Sequence, residues 1–458
     1  MQTAREFFTP VDIKWLKRVP KHWPIKRLRF VLDTNPVKSA VADLSPDTMV
    51  SFLPMEAVTE DGRIDLSRDK TLEDVYNGYT YFRDNDVLIA KITPCFENGK
   101  GALATGLTNG IGFGTTEFHV LRADKTADAQ WLYYLSKSSP FREIGASEML
   151  GAGGQKRISD EFIKDFRLGI PPLAEQTQIA RFLDYKTAQL DQLIEKKQAL
   201  IERLNEQRIA LITQAVTRGL NPDVPLKDSG VEWLGQVPEG WEVKRLRFVI
   251  RSNPLKSEIR GLSDSDIVSF VPMDAVGEYG GIELSQQKTL EQVYTGYTYF
   301  KENDVVVAKI TPCFENGKGA LARNLTNQVA FGTTELHVLR AEYEINPEWL
   351  FYLTISYPFR EIGASEMYGA GGQKRIPEDF IKDFRLGIPD YKEQTEIVSY
   401  LDFELDKLDT LKDKTLNTIT RLEEYRTALI TAAVTGKIDV RDVQIPVTSE
   451  HSPMSEAP

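Results

Sequence analysis

Two stretches of the chain place apolar residues three, four or seven positions apart. In the first these are Ile179, Leu183, Leu190, Leu193, Leu200, Leu204 and Leu211; in the second, Ile397, Leu401, Leu408, Leu411, Leu422 and Leu429. That spacing is one face of an α-helix. Neither stretch contains proline or internal glycine. Each predicts one amphipathic helix of roughly 40 residues, about 60 Å long at about 1.5 Å per residue. An apolar stripe so narrow on a helix so long needs a partner. The other helix of the same chain is the obvious candidate; the alternative is that each helix lies on its own globular part. Ahead of each helix, about 160 residues follow a different pattern. Runs such as VSFLP, YTYF, DVLIAKI and FHVLR, rich in aromatic and β-branched residues, alternate with Gly, Asn, Asp and Pro. They predict short strands joined by turns.

The two halves are copies. KITPCFENGKGALA stands at 91–104 and again at 309–322, an offset of 218 (309 less 91). The same offset carries Trp15 onto Trp233, Trp23 onto Trp241, GYTYF at 78–82 onto 296–300, FGTTE at 113–117 onto 331–335, and GAGGQKRI at 151–158 onto 369–376. No insertion or deletion interrupts it from Trp15 to about Val434. Two long units make up the chain, not a short-period solenoid. The expected fold class is α+β. Two tandem pseudo-twofold-related units each carry a globular mixed α/β part followed by a long helix, the helices pairing as an antiparallel coiled coil. Expected boundaries are 11–172 and 231–390 for the globular parts, 173–217 and 391–436 for the helices, 218–230 for a linker rich in Gly, Pro and Asn, and 441–458 for a disordered tail with Pro, Ser and Thr and no periodicity.

Composition narrows the chemistry. No apolar run approaches the roughly 20 residues of a membrane span. The N-terminus lacks the apolar core of a signal peptide, which points to the cytoplasm. The two cysteines, Cys95 and Cys313, occupy matched positions in the two copies, so neither a disulfide nor a zinc site is expected. The formal net charge of −11 speaks weakly against nucleic-acid binding, although a basic groove can coexist with acidic helices. The basic stretch 14–30 does not settle that point. It holds seven Lys or Arg, but its counterpart 232–248 holds three acids, so most of that charge reads as solvated surface.

No catalytic site can be assembled. FENGKGA lacks the first glycine and the Ser/Thr of a phosphate loop, and there is no HExxH and no paired Cys-x-x-Cys. The [DN]PP[YF] tetrapeptide of amino-methyltransferases is absent; Asn35-Pro36, Asn221-Pro222 and Asn346-Pro347 each lack the second proline. His119 and His337 stand at matched strand positions with no titratable partner close in sequence, and read as structural. Catalytic, metal and cofactor residues are accordingly expected to be none.

What repeats most faithfully is exposed polar loop chemistry. KITPCFENGKG offers Lys91, Asn98 and Lys100 around an Asn-Gly turn, and the second copy Lys309, Asn316 and Lys318. GAGGQKRI sets three glycines before Gln155, Lys156 and Arg157, matched by Gln373, Lys374 and Arg375. Thr115, Thr116, Thr333 and Thr334 are weaker candidates. Glycines let backbone approach another polymer; Lys and Arg meet phosphate or guanine, and Asn and Gln pair with adenine. The alternative is that these are well-built surface turns whose charges are merely solvated; fold maintenance requires an apolar pattern and not identical polar tips, so identity at these positions favours binding.

The chain resembles the specificity subunit of a type I restriction-modification system. The resemblance rests on VPKHWPIKRL and IPPLAEQTQIARFLD in the first half and VPEGWEVKRL and IPDYKEQTEIVSYLD in the second, and covers nearly the whole chain. The second half departs from the usual Pro-Pro-Leu-x-Glu-Gln by reading Pro-Asp-Tyr-Lys-Glu-Gln, which makes its helix start less typical. The resemblance implies two target recognition domains, each reading half of a split double-stranded DNA site. It implies helices that space them and dock methyltransferase and restriction subunits. S-adenosylmethionine, ATP and Mg belong to those partners, and the specificity subunit itself catalyses nothing. Family members generally carry two different recognition domains; identical loops imply a gapped palindrome. A two-headed coiled-coil scaffold that binds no DNA is the rival reading.

Overall fold

The computed structural model describes residues 8–446 except 152, 153, 260, 370 and 371. The chain forms two compact units, one of residues up to 197 together with those from 417, the other of residues 198–416. Each long helix, Leu173–Arg218 and Tyr391–Val434, begins in the unit whose globular part precedes it and ends in the other.

In the first unit two four-stranded sheets carry the fold. One has the order Asp69–Thr71, Met49–Leu53, Ile111–Gly114, Thr80–Arg83, with a parallel central pair. The other, antiparallel throughout, runs Leu32–Thr34, Phe118–Ala123, Asp86–Ala90, Gly101–Leu103. Leu53, Phe82, Leu88, Phe118 and Val120 fill the space between them. The second sheet is covered by the helices Ala129–Lys137 and Ser139–Ser147, through a cluster holding Trp131, Phe96, Phe141 and Phe162. The Pro-x-x-Trp opening is a turn: Trp23 N–H donates to the Pro20 carbonyl at 3.0 Å, and the buried indole joins the same cluster.

The two helices pair within this unit. Ile179, Phe182 and Leu183 share a core with Ile430, Ala433 and Val434. Arg426 meets Asp191 at 3.1 Å and Gln178 donates to the Val440 carbonyl at 3.1 Å, so numbering rises along one helix as it falls along the other. The pairing is antiparallel. Thr431 also accepts from the Ser139 N–H (3.0 Å), one of the unpaired donors at the start of a short helix.

The second unit repeats the design. Its sheets are Gln287–Thr289, Ile267–Val271, Val329–Gly332, Thr298–Lys301 and Ile250–Ser252, Leu336–Ala341, Val305–Ala308, Gly319–Leu321. Ile212, Ala215 and Val216 pack against Ile397, Val398 and Leu401. Arg208 meets Asp409 at 2.6 Å, Lys412 donates to Asn205 at 3.2 Å, and Thr213 accepts from the Tyr357 N–H at 2.9 Å.

The Glu-Gln at each helix start has a physical reason. Gln176, fully buried, accepts from the Asp128 N–H (2.8 Å) and donates to the carbonyls of Thr126 (3.1 Å) and Pro171 (2.8 Å). Gln394 does the same with Asn346 N–H, Glu344 and Pro389. Glu175 meets His22 at 2.7 Å, and Glu393 accepts from the Trp241 indole at 3.0 Å. Tyr-Lys in place of Leu-Ala before this pair leaves the glutamine anchor unchanged.

Two stretches read as irregular carry structure. Within 218–230, Leu226–Asp228 forms a short antiparallel ladder with Gln236–Pro238, Lys227 standing opposite Val237. Of the tail expected from 441, the described part is held down: Gln178 donates to the Val443 carbonyl (3.0 Å) and Ile445 packs on the first unit's core. Residues 447–458 lie outside the described residues.

Candidate nucleic-acid interface

In each unit three segments far apart in sequence meet at one place, and all three carry polar residues that are identical in the two copies. The first is the excursion between the strands Asp86–Ala90 and Gly101–Leu103. It turns on hydrogen bonds from Phe96 N–H to Ile92 O (3.0 Å), Asn98 N–H to Pro94 O (2.9 Å) and Lys100 N–H to Cys95 O (2.8 Å). Phe96 is buried and anchors it; Gly99 takes a positive φ of 73° under the Arg142 guanidinium. The Thr93–Pro94 and Thr311–Pro312 peptides are cis.

The second segment, the glycine-rich one, folds onto the first. Thr93 N–H donates to Lys156 O (3.0 Å), Lys156 N–H to Thr93 Oγ1 (3.1 Å), Thr93 Oγ1 to Gly154 O (2.9 Å) and Ile158 N–H to Lys91 O (2.9 Å). Arg157 and Leu150 exchange both backbone hydrogen bonds (2.8 and 3.0 Å). Gly151 has φ +148°, and a Cβ there would lie 2.4 Å from the Gln155 carbonyl, so the turn admits only glycine. Ala152, Gly153, Ala370 and Gly371, and with them one glycine of each expected triplet, lie outside the described residues. The third segment is FGTTE: Glu117 accepts through its carbonyl from Lys91 N–H (2.9 Å) and through its carboxylate from Arg157. The second unit reproduces these bonds at Thr311, Lys374, Gly372, Ile376, Lys309 and Glu335.

The candidates fall into three groups. Gln155, Lys156, Arg157 and Thr116, with Gln373, Lys374, Arg375 and Thr334, are exposed on this surface. Asn98 and Asn316 are exposed too, with Asn98 Nδ2 on Glu60 Oε1 at 2.8 Å and Asn316 Nδ2 on Glu278 Oε1 at 3.4 Å. The remaining candidates are turned to the protein. Lys100 and Lys318 are half-buried and donate to the carbonyls of Met55 and Met273, each at 3.2 Å. Thr115 and Thr333 accept from the backbone N–H of Glu117 and Glu335, each at 3.2 Å. Lys91 and Lys309 are half-buried, and desolvation pulls both ammonium groups below the usual lysine range.

Around them lies a charged cluster that the sequence reading did not single out. The Arg157 hydrogen bonds hold the Glu117 carboxyl below its ordinary range, and Arg375 does this for Glu335. His119 is buried. Its Nδ1 faces Asn35 Nδ2 at 3.2 Å and its Nε2 faces the Ile158 carbonyl at 3.0 Å, which fixes a neutral ring protonated on Nε2. Burial pushes its pKa down, as it does for His337. These are structural histidines that brace the strand beside the site. The signal for Glu117 was its place in a repeated motif; its partner lies 40 residues away, beyond any local pattern. Among the described residues no group of His, Cys, Asp and Glu is arranged to hold a metal, and no helix is long and apolar enough to cross a membrane.

The model of the type I restriction modification DNA specificity domain matches the chain twice, at residues 53–203 and 238–421. The EcoEI type I restriction enzyme specificity subunit of Escherichia coli is 35% identical over 201 residues, 43% of this chain and 33% of that one. The EcoAI specificity subunit, also of Escherichia coli, is 38% identical over 180 residues, 38% of this chain and 30% of that one. The matched segments thus span about a third of these two relatives. The MjaVIII specificity subunit of Methanocaldococcus jannaschii is 23% identical over 438 residues, 93% of this chain and 95% of that one. Among solved structures, a chain from work on the assembly and conformational transition of the type I R-M system has a TM-score of 0.69 at 18% identity, covering 92% of this chain and 99% of that one. The HsdS subunit from Thermoanaerobacter tengcongensis has 0.54 at 17%, covering 92% and 98%. At such identities these two bear on the fold alone.

Proposed function

The chain belongs to the type I restriction-modification DNA specificity family, and on that premise we propose that it is the non-catalytic subunit that reads a bipartite DNA site, one half-site per unit. The observation that carries this reading is the convergence of three identical polar segments on one exposed surface of each unit, with glutamine, lysine and arginine donors outermost. Base edges and phosphates are what such donors recognise. The net charge of −11 is no obstacle, since charge at the contact matters and not charge over the whole chain.

Identical readers select identical half-sites. The proposed site is therefore a gapped palindrome, its two halves inverted copies of one another. The paired helices serve as the spacer and as the docking surface for methyltransferase and restriction subunits. Those partners bring S-adenosylmethionine, ATP and Mg, and all the chemistry. Lys156, Lys374, Gln155, Gln373, Asn98 and Asn316 are the contacts proposed first; Lys100, Lys318, Thr115 and Thr333 support the loops from behind.

The test is selection of random duplex DNA by the full chain in complex with its methyltransferase partner, followed by sequencing and a salt titration. The reading expects two inverted base clusters at a fixed gap and an affinity that falls steeply with salt. Retention without sequence enrichment, or no retention, favours the two-headed scaffold.

A further inference from the structure

We propose that Arg157 and Arg375 each read a guanine, at equivalent positions of the two half-sites, and that Glu117 and Glu335 are the residues that position them. This rests on the DNA-reading function proposed above and names one base of each half-site.

A guanidinium is planar and carries five N–H donors in a fixed fork. In Arg157 one edge is taken: Nε donates to Glu117 Oε2 at 3.0 Å and Nη2 to Oε1 at 2.7 Å. In Arg375 the same edge donates to Glu335 at 2.9 and 2.8 Å. The remaining edge, Nη1 with the second Nη2 hydrogen, has no partner among the described residues in either unit. Both arginine side chains are about half-exposed, 48% and 46%. Two parallel donors on one edge match O6 and N7 of guanine in the major groove.

The carboxylate decides between base and backbone. Phosphate contacts gain from net positive charge, because they release counterions. A carboxylate 2.7 Å from the guanidinium cancels that charge, and would itself be repelled by a phosphate. Guanine O6 and N7 carry no net charge and release no counterion, so a contact with them loses much less to the carboxylate. Lys156 and Lys374, exposed and without a carboxylate partner among the described residues, have the opposite character and suit phosphate.

The mounting is rigid. Glu117 stands directly before the strand Phe118–Ala123, with its N–H on Thr115 Oγ1 and its carbonyl on Lys91 N–H. Arg157 is held by both backbone bonds to Leu150. Readers carried on strand-anchored backbone keep the precision that base recognition requires. An exposed ion pair adds little to stability, so the fold alone gives little reason for both units to carry the same bidentate pair.

The experiment compares wild type, Arg157→Lys, Glu117→Gln and Glu335→Gln, each in complex with the methyltransferase partner, by selection from randomised duplexes and by salt titration. Arg157→Lys is expected to lose roughly tenfold to a hundredfold of the preference for guanine at one position of one half-site. The other half-site and the salt slope stay unchanged. Glu117→Gln is expected to lower the same preference about tenfold, and Glu335→Gln to do so in the other half-site alone. Uniform changes across all sequences, or a gain in affinity on removing the carboxylate, would overturn the assignment, since they mark a phosphate contact. Enrichment of a base other than guanine at the affected position would overturn it as well. Absence of any selection by the wild-type complex sinks the DNA-reading function itself, an outcome distinct from failure of this assignment.

Discussion

Gln176→Ala removes a buried side chain that helps fasten the first long helix to its globular part. Gln176 is fully buried and joins three backbone groups: the N–H of Asp128 and the carbonyls of Thr126 and Pro171. Truncation leaves all three without partners. A buried backbone group left unpaired costs about 1–3 kcal/mol. Water entering the vacated space restores part of the loss at the carbonyls, which places each group near the low end and the sum near 3 kcal/mol. In a unit of this size about 1 kcal/mol shifts Tm by about 2–4 °C, so the transition of the first unit should fall by about 6–12 °C in calorimetry. Hydrogen exchange gives the local readout. Opening eased by about 3 kcal/mol speeds exchange about a hundredfold around Asp128 and along the first turns of the helix. Gln394→Ala should do the same at Asn346 and the start of the second helix, leaving residues near Asp128 unaffected. A shift in Tm of less than about 2 °C, with exchange near Asp128 unchanged, would refute the glutamine anchor.

At the site, Asn98→Ala should cost about 1–3 kcal/mol of binding and relax selection in one half-site, whereas Lys156→Ala should weaken all sequences alike and reduce the salt slope by about 1; both are read by selection and salt titration. Asp86, 1% exposed, takes Arg122 at 2.8 and 2.7 Å and the Arg83 N–H at 2.9 Å. Asp86→Ala strands the arginine and should destabilise the first unit by about 3–5 kcal/mol in urea unfolding. His119 and His337 have pKa values lowered by burial, so below their unfolded value of about 6.5 the unfolded chain binds more protons than the folded one. Their contribution is therefore fully present above about pH 7 and is lost as pH falls through 6.5 toward the lower folded values. The double variant His119→Gln, His337→Gln should flatten that part of the stability profile.

The long helices were legible because their stripe is interrupted by no breaker, and the pairing followed from the narrowness of that stripe. The runs VSFLP, YTYF, DVLIAKI and FHVLR lie on observed strands, where period and β-branching agree. The helix Ala129–Lys137 was not legible. Every residue from Trp131 to Lys137 is buried, so no polar face marks a helical period. The parallel pairing of Met49–Leu53 with Ile111–Gly114 joins strands about 60 residues apart, which local pattern does not encode. At the site, identity between the copies located the loops, but polarity alone did not separate Lys156, which faces solvent, from Lys100, which faces the Met55 carbonyl. The Glu117–Arg157 pair was invisible for the same reason as the sheet pairing: only the fold brings its members together.

The most direct test is single-molecule methylation sequencing of DNA from cells expressing the chain with its methyltransferase partner. Two like units reading two half-sites predict modified bases in one motif whose halves are inverted copies, separated by a gap of constant length. Two unrelated half-sites, a gap of variable length, or no motif at all would contradict it.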